Sequence, residues 1–297
     1  MARKTKETAV GSQNRTVTPN EAKSAIEHCI KLQRPLMMWG APGIGKSDIV
    51  KQVADAQERQ VIDIRLPLWE PTDIKGIPYY NSKENNMVWA SPAELPTDPK
   101  SNAIVFLDEL NSAAPAVQAA AYQLILNRRV GQYHLPEGVS IVAAGNRDSD
   151  KGVTYRMPAP LANRFVHIEL RVDYDDWLQW ATDRKIHADV VGYCTFAKQD
   201  LYDFDPRGSS RSFATPRSWS FVSQLLSDDL PESTLTDLVA GCVGEGLAVK
   251  FMNHRKVSGQ LPNPSDILSG KVKDLSLIHI SEPTRPERIS DSRVCLK

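Results

Sequence analysis

The chain has 297 residues, long enough for one large domain or two smaller ones with their own hydrophobic cores. Lysine plus arginine and aspartate plus glutamate are balanced at 36 each, so the net charge does not favour nucleic acid or an anionic membrane as a partner. No apolar run approaches the ~20 residues of a membrane helix and Met1–Arg15 lacks the apolar segment of a secretory signal, so we expect a cytoplasmic protein with no membrane partner.

The four cysteines form no CxxC pair, which argues against a zinc site or a dithiol redox site. The first segment, residues 1–17, is basic and polar, and we predict that it is disordered. A helix is predicted to begin directly after it. Thr18 is a capping residue, Pro19 suits the first turn, and Glu21 stands where the carboxylate of a capping box belongs.

A short apolar run, Leu36–Trp39, leads into a turn that fits the pattern G-x-x-x-x-G-K-[ST] without a mismatch. The residues of this phosphate loop are Gly40, Ala41, Pro42, Gly43, Ile44, Gly45, Lys46 and Ser47. Its glycines let backbone N–H groups face a phosphate, and the helix that follows presents its positive N-terminus to the same anion. Lys46 is expected to reach the β- and γ-phosphates of ATP, and Ser47 to bind Mg²⁺.

The phosphate loop is followed by an alternation of apolar runs and helical stretches. Further strands are predicted at Val61–Ile64, Ala103–Leu107, Val139–Ala144 and Val166–Leu170, with a helix at Pro115–Leu126. Such alternation predicts an α/β fold with a largely parallel sheet covered on both faces. We therefore assign residues 18–172 to an αβα P-loop NTPase domain.

Two polar stretches interrupt this rhythm. Residues 71–99 are expected to be an insertion with a small hairpin, and residues 130–135, which lead into Pro136-Glu137-Gly138, are expected to form a second hairpin. In the insertion, Tyr79, Tyr80 and Trp89 either contact a partner or pack the hairpin on its own domain, and packing is the preferred interpretation.

The run Ala103–Leu107 ends in two carboxylates, Asp108 and Glu109. Open α/β sheets bind ligands at the carboxyl ends of their strands. Asp108 is therefore predicted to hold Mg²⁺, and Glu109 to act as the base for an attacking water. A strand end that meets solvent would also explain the pair, but the upstream phosphate loop favours the catalytic interpretation.

Strand patterns stop after Val172. Four helices are predicted instead, at Asp175–Ala181, Ala188–Lys198, Pro216–Leu226 and Leu235–Phe251, which indicates a second, all-helical domain over residues 173–274. The stretch Leu275–Arg285 resembles the translation of a transposon-end adaptor used in preparing sequencing libraries. We expect residues 275–297 to be a non-native tail; the alternative is a natural polar tail.

Several motifs occur in the order seen in AAA+ ATPases, and the chain resembles that family. They are the phosphate loop, the Asp-Glu pair, Ala143–Asn146, Leu161–Phe165 and Ala214–Ser218. Glu70–Gly76 and Asp108–Asn111 resemble the MoxR-like branch in particular. The chain departs from that branch at Ser112, where arginine is usual, and at Asn163, where aspartate is usual. The resemblance covers residues 19–271.

The resemblance implies roles that the residues alone leave open. It implies that the helical domain is a lid and that Asn146 is a polar sensor that orients the lytic water. It also implies that Arg164 is an arginine finger for a neighbouring subunit's ATP and that Arg217 is a second sensor. Without the resemblance, Asn146 could simply begin a turn and Arg164 could be a surface charge. Arg207 and Arg211 would compete with Arg217 for the role of second sensor. The resemblance also implies a homo-oligomeric ring, commonly a hexamer.

Together these features predict Mg²⁺-dependent ATP hydrolysis that remodels or activates a partner protein, as in MoxR-like chaperones. A partner with a von Willebrand A domain or a metallopeptidase domain would fit that branch. Two alternatives stay open: a DNA-acting AAA+ machine, such as a loader or restriction motor, and a non-enzymatic nucleotide switch. The neutral charge and lack of a DNA-binding motif argue against the first, and Glu109 and Arg164 against the second.

Overall fold

The computed structural model describes residues 15–150, 154–208, 210–228 and 230–260. The strands in these ranges are β1 (Thr16–Val17), β2 (Leu36–Trp39), β3 (Val61–Arg65), β4 (Ile77–Asn81), β5 (Asn86–Ala90), β6 (Ile104–Asp108), β7 (Arg129–Val130), β8 (Tyr133–His134), β9 (Ser140–Gly145) and β10 (Val166–Leu170). The α-helices are α1 (Pro19–Lys31), α2 (Lys46–Ala56), α3 (Pro71–Lys75), α4 (Pro115–Asn127), α5 (Ala159–Ala162), α6 (Tyr174–Asp183), α7 (Ala188–Phe196), α8 (Pro216–Leu225), α9 (Glu232–Val243) and α10 (Glu245–Gln260).

Six strands form one parallel sheet in the order β1-β10-β2-β9-β6-β3. All five strands predicted from apolar runs are present, and the predicted α/β class is confirmed. Because every strand runs in the same direction, their carboxyl ends meet along one edge of the sheet. In register, Trp39 lies beside Gly145, and Arg65 beside Asp108. The chain therefore brings several separate motifs to a single edge.

Helices cover both faces of this sheet, as the continuous apolar runs predict. In β6, Ile104 and Phe106 belong to the core that packs against α1 and α2. The alternate residues, Val105 and Leu107, belong to the core that packs against α4. This alternation follows from the two-residue period of a strand, and it gives the expected αβα layers.

The two predicted hairpins form separate two-stranded sheets, β4–β5 and β7–β8. The Trp89 amide donates to the Gln132 side chain at 3.3 Å, and the Trp89 residue is partly buried, so β5 rests on the second hairpin. Tyr79 and Tyr80 are 52% and 65% exposed. Packing on the domain therefore accounts for Trp89 but not for the two tyrosines.

The helices after β10 enclose a core of their own, centred on Tyr193, Trp219 and Phe251. One helix was expected at Leu235–Phe251, and this expectation is wrong because α9 and α10 are separate. Gly244 lies between them with a φ of 96°, a left-handed conformation that ends a helix at little cost only for glycine.

The start of the described chain differs from the expectation at two residues. Thr16 and Val17, assigned to the disordered segment, form the edge strand β1 beside Glu169 and Leu170. The capping box at Thr18 and Glu21 is confirmed. Residues 1–14 and the tail at 275–297 lie outside the described residues. No described helix has the length and apolar character needed to cross a membrane.

Candidate nucleotide-binding and catalytic site

The phosphate loop joins β2 to α2 at the edge where the strands end. Gly43 and Gly45 have φ values of 76° and 92°, so the backbone passes through the left-handed region that side chains disfavour. A Cβ on Gly43 would also lie 2.7 Å from Thr215 Oγ1. The glycines therefore let the loop bend sharply and let the helical domain approach it closely.

Lys46 is the first residue of α2 and is only 9% exposed. Its Nζ donates to Gly40 O at 2.6 Å, Ala41 O at 2.9 Å and Asn146 Oδ1 at 3.0 Å. Burial lowers the pKa of the Lys46 ammonium from 10.5 to about 8, although the carboxylates of Asp108 and Asp150 raise it. The loop therefore holds a desolvated cation that would gain by meeting an anion.

Strand β6 delivers Asp108, which is 9% exposed, to the same edge. Ser47 Oγ donates to Asp108 Oδ2 at 3.4 Å, so the two predicted Mg²⁺ ligands lie together. The described residues contain no cluster of three His, Cys, Asp or Glu side chains able to hold a metal. A hydroxyl and one carboxylate still fit Mg²⁺, which usually keeps several waters and takes its other ligands from nucleotide phosphates.

Glu109 follows Asp108 and is exposed. Its φ of 55° places a non-glycine residue in the left-handed region, and its amide donates to Asp108 Oδ1 at 2.9 Å. Strained backbone of this kind is concentrated at functional sites. The conformation keeps one carboxylate buried beside Ser47 and leaves the next one accessible to water.

Asn146 comes directly after β9, and its side chain accepts the bond from Lys46. The phosphate loop and Asn146 thus meet in space, although 100 residues separate Lys46 from Asn146. The adjoining turn is fixed by Arg147, whose guanidinium pairs with the buried Asp150 at 2.9 Å. Asn146 therefore lies beside Lys46, on a turn that the Arg147–Asp150 ion pair holds in place.

A cavity of about 740 Å³ opens beside the loop, between the sheet domain and the helical domain. Its wall includes Gly45 and Ser47 on one side and Trp177 and Arg217 on the other. Ligand pockets for small molecules commonly span roughly 300–1,000 Å³, so the cavity has room for a nucleotide.

Arg217 reaches the loop from α8. Its amide donates to Gly43 O at 3.2 Å, and its positive charge helps to lower the pKa of Lys46, after the larger effect of burial. The competing Arg207 and Arg211 are exposed and do not belong to the wall of the cavity. Of the three arginines, Arg217 is the one placed at the phosphate loop.

Arg164 is not brought to this site. It follows α5, is exposed, and does not belong to the wall of the cavity. Its backbone amide donates to Leu161 O at 3.0 Å, which closes the last turn of α5. Among the described residues, the Arg164 side chain is therefore exposed and shows no hydrogen bond or ion pair with its own phosphate loop.

Comparison with known proteins shows what the central part of this chain resembles. Residues 35–167 match the model of the ATPase family associated with various cellular activities (AAA). This part of the chain is therefore similar to AAA-type ATPase domains. Midasin from Giardia intestinalis is 29% identical over 174 residues, which are 54% of this chain but 4% of midasin, so the chain spans a small fraction of that relative.

Two solved structures are similar at low sequence identity. A mutant of RuvB from Thermotoga maritima is 16% identical, with 89% of this chain and 78% of that chain covered and a TM-score of 0.45. NtrX from Brucella abortus in complex with ADP is 13% identical, with 85% and 57% covered and a TM-score of 0.46.

The sheet domain also contains polar residues for which the sequence predicts no role. Asp63 and Arg65 belong to the wall of the cavity from the edge strand β3. Burial and then the charge of Asp108 raise the pKa of the Asp63 carboxyl, while Arg65 lowers it. Asp63 and Arg65 occupy alternate positions of an otherwise apolar strand, and this sequence pattern could have pointed to them.

Asp48, in the first turn of α2, is a second such residue. Its carboxylate accepts from Trp180 Nε1 on α6 at 2.7 Å and from Arg184 Nη2, directly after α6, at 3.2 Å. The helical domain therefore contacts α2 through Trp180 and Arg184, and it contacts the loop before α2 through Arg217. No local pattern in the sequence indicates a contact between residues so far apart.

Proposed function

We propose that this protein hydrolyses ATP with Mg²⁺ and works in a homo-oligomeric ring that remodels a partner protein, as MoxR-like ATPases do. The catalytic part of this proposal rests on the meeting of three motifs at one edge of the sheet: the phosphate loop, the Asp-Glu pair and Asn146. Lys46 binds Asn146, and Ser47 binds Asp108, within hydrogen-bonding distance. A purely structural role would not require these side chains to converge beside a cavity large enough for a nucleotide.

The residues of the site fit ATP and Mg²⁺. Lys46 is surrounded by carbonyl and amide oxygens whose bonds phosphate oxygens can replace. Bound Mg²⁺ would neutralise charge that develops on the phosphates, with Ser47 and Asp108 as its protein ligands. The exposed Glu109 carboxylate is free to accept a proton from water.

The remaining roles complete an in-line attack by water. Asn146 would orient the water beside the phosphate end of the site, and Arg217 would add positive charge from the helical domain. The exposed Arg164 would act on the ATP of a neighbouring subunit. Positioning and charge stabilisation then supply the catalysis, with no covalent intermediate.

The assignment to the MoxR-like branch and the partner class rest on the sequence resemblance. Glu70–Gly76, which carries part of it, forms α3 and the turn at Gly76 before the first hairpin. The exposed Tyr79 and Tyr80 of that hairpin offer apolar surface to a partner. A protein with a von Willebrand A domain or a metallopeptidase domain is the proposed kind of partner.

The test is phosphate release from ATP with Mg²⁺, with Glu109→Gln as the decisive variant. Glutamine keeps the size of the side chain but cannot take the proton, so turnover should fall by roughly 10²–10⁴-fold while ATP still binds. Glu27→Gln, the same change on the exposed face of α1, is the control and should keep the parent rate. Absence of turnover in the parent chain, or a parent-like rate for Glu109→Gln, would contradict the proposal.

A further inference from the structure

Asn111 is a buried amide in the short turn that follows the carboxylate pair, and only 1% of it is exposed. Its side chain holds the backbone of Asn146 with two opposed bonds. Asn111 Nδ2 donates to Asn146 O at 2.8 Å, and Asn146 N donates to Asn111 Oδ1 at 3.2 Å. A primary amide satisfies both at once because it offers a donor and an acceptor side by side.

The end of β9 is packed tightly against this amide. A Cβ on Gly145 would lie 2.5 Å from Asn111 Oδ1 and 2.6 Å from Met37 Cε. Such distances are incompatible with any side chain at Gly145 unless its neighbours move. The strand end is therefore held against Asn111 with little freedom to shift.

Asn111 also contacts the segment that leads to Arg164. Its backbone carbonyl accepts from the Tyr155 amide at 2.7 Å. The residue thus adjoins three parts of the site: the turn after Glu109, the backbone of Asn146, and the chain before α5. Of these contacts, only the pair with Asn146 depends on the Asn111 side chain.

We propose that Asn111 is a positioning residue for ATP hydrolysis, which sets the backbone of Asn146 so that its side chain remains at Lys46 and the phosphates. The inference rests on the proposed function. Asn111 touches neither nucleotide nor water in this account and acts only through Asn146. Its loss should therefore slow turnover and leave ATP affinity nearly unchanged, since the phosphate loop is intact.

Gln118 provides a matched control. It is also a buried amide, 3% exposed, and its Nε2 donates to a backbone carbonyl, Ala113 O, at 3.0 Å. It lies on α4 and makes no described hydrogen bond to the site. Gln118→Ala therefore removes a buried amide of the same kind without touching Asn146.

The experiment is a double-mutant cycle on kcat and ATP affinity, with Asn111→Ala, Asn146→Ala and the double variant of the full chain. We expect Asn111→Ala to lower kcat by about 10–10²-fold, as small misplacements of catalytic groups do. In the Asn146→Ala background the same change should cost less than about 3-fold, because residues that act through one another are not additive. Gln118→Ala should keep the parent kcat per folded chain.

Three results would overturn the inference. They are a parent-like kcat for Asn111→Ala, effects that multiply in the double variant, and an equal loss of kcat in Gln118→Ala. If Asn111→Ala does not fold, Asn111→Asp enters the same cycle, since it keeps the size and the acceptor but loses the donor. Failure of the proposed function is recognised separately, because the parent chain would then release no phosphate.

Discussion

At the scale of single residues, Lys46 shows how the fold prepares a charge for an anion. Its ammonium is nearly removed from solvent and bonded only to uncharged oxygens. Desolvation of this kind disfavours the charged form, which is why the pKa falls to about 8. A bound phosphate would reverse that effect by offering the ammonium a negative partner.

We therefore expect Lys46→Ala to lower ATP affinity by roughly 10–10²-fold, since about 1.4 kcal/mol corresponds to tenfold and a charge-assisted bond contributes about 1.5–3 kcal/mol. The fold should survive, because the change removes a buried charge and leaves only uncharged acceptors, which are two backbone carbonyls and the Asn146 amide oxygen. Calorimetric titration with ATP is the measurement, with Lys31→Ala at the exposed end of α1 as the control. A folded variant with parent affinity would refute the role of Lys46.

The lowered pKa predicts a dependence on pH. The folded chain loses the Lys46 proton near pH 8, before the unfolded chain does near 10.5, so this group's contribution to the free energy of unfolding rises between those values. Nucleotide affinity should change in the opposite direction and weaken above about pH 8, because the neutral amine attracts phosphate poorly. Titration with ADP at pH 7.5 and 9 tests this. Lys46→Arg stays charged over this range and should make ADP affinity nearly independent of pH. The same pH dependence of affinity in Lys46→Arg as in the parent would contradict the assignment.

At the scale of elements, the helical domain holds α2 and the loop before it at two places. The amide of Arg217 binds the loop at Gly43, and Trp180 and Arg184 bind Asp48 one turn into the helix. The cavity lies between these contacts and shares walls with both domains. Nucleotide binding and the position of the helical domain are therefore expected to be coupled.

Asp48→Ala tests this coupling. It removes an acceptor shared by Trp180 and the charged Arg184, and it should lower the free energy of unfolding by about 1 kcal/mol, given the partial exposure of the Asp48–Arg184 pair. ATP affinity should fall several-fold, roughly 3–10-fold for a loss of about 1 kcal/mol. Chemical denaturation and calorimetry measure the two effects, with Asp237→Ala on the exposed face of α9 as the control. Unchanged affinity in a destabilised variant would show that the contact is structural only.

Local patterns predict the elements of this fold better than their ends. The phosphate loop, the five apolar strands and the capping box at Thr18 each have a signature within a few residues. The strand at Thr16–Val17 is too short to show a period, and it exists only because β10 lies beside it. The break at Gly244 interrupts an apolar pattern that a single long helix would also satisfy.

The same distinction applies to the site. Lys46, Ser47, Asp108 and Glu109 lie in patterns that chemistry makes recognisable, whereas Asn111 and Asp48 act through contacts 35 and more than 130 residues away. Such pairs arise from tertiary packing and leave no local signal. Arg217 was one of three arginines, and only its placement at Gly43 separates it from the others.

At the scale of the whole molecule, the described site contains a phosphate loop, two carboxylates, Asn146 and Arg217, while Arg164 lies exposed elsewhere. If Arg164 acts on a neighbouring subunit, turnover per chain should rise steeply with protein concentration. Arg164→Ala should bind ATP normally and lose roughly 10³-fold or more in turnover. Arg34→Ala, at an exposed position before β2, is the control and should keep the parent rate.

The most direct test of a site shared between subunits mixes Arg164→Ala with Glu109→Gln. Each variant alone forms rings in which every site lacks either the arginine or the base. In mixed rings, some interfaces join an intact Glu109 of one subunit to an intact Arg164 of its neighbour, so phosphate release should reappear on mixing. If mixing restores no turnover although co-assembly is shown independently, Arg164 does not complete a neighbouring site, and the shared ring mechanism is contradicted.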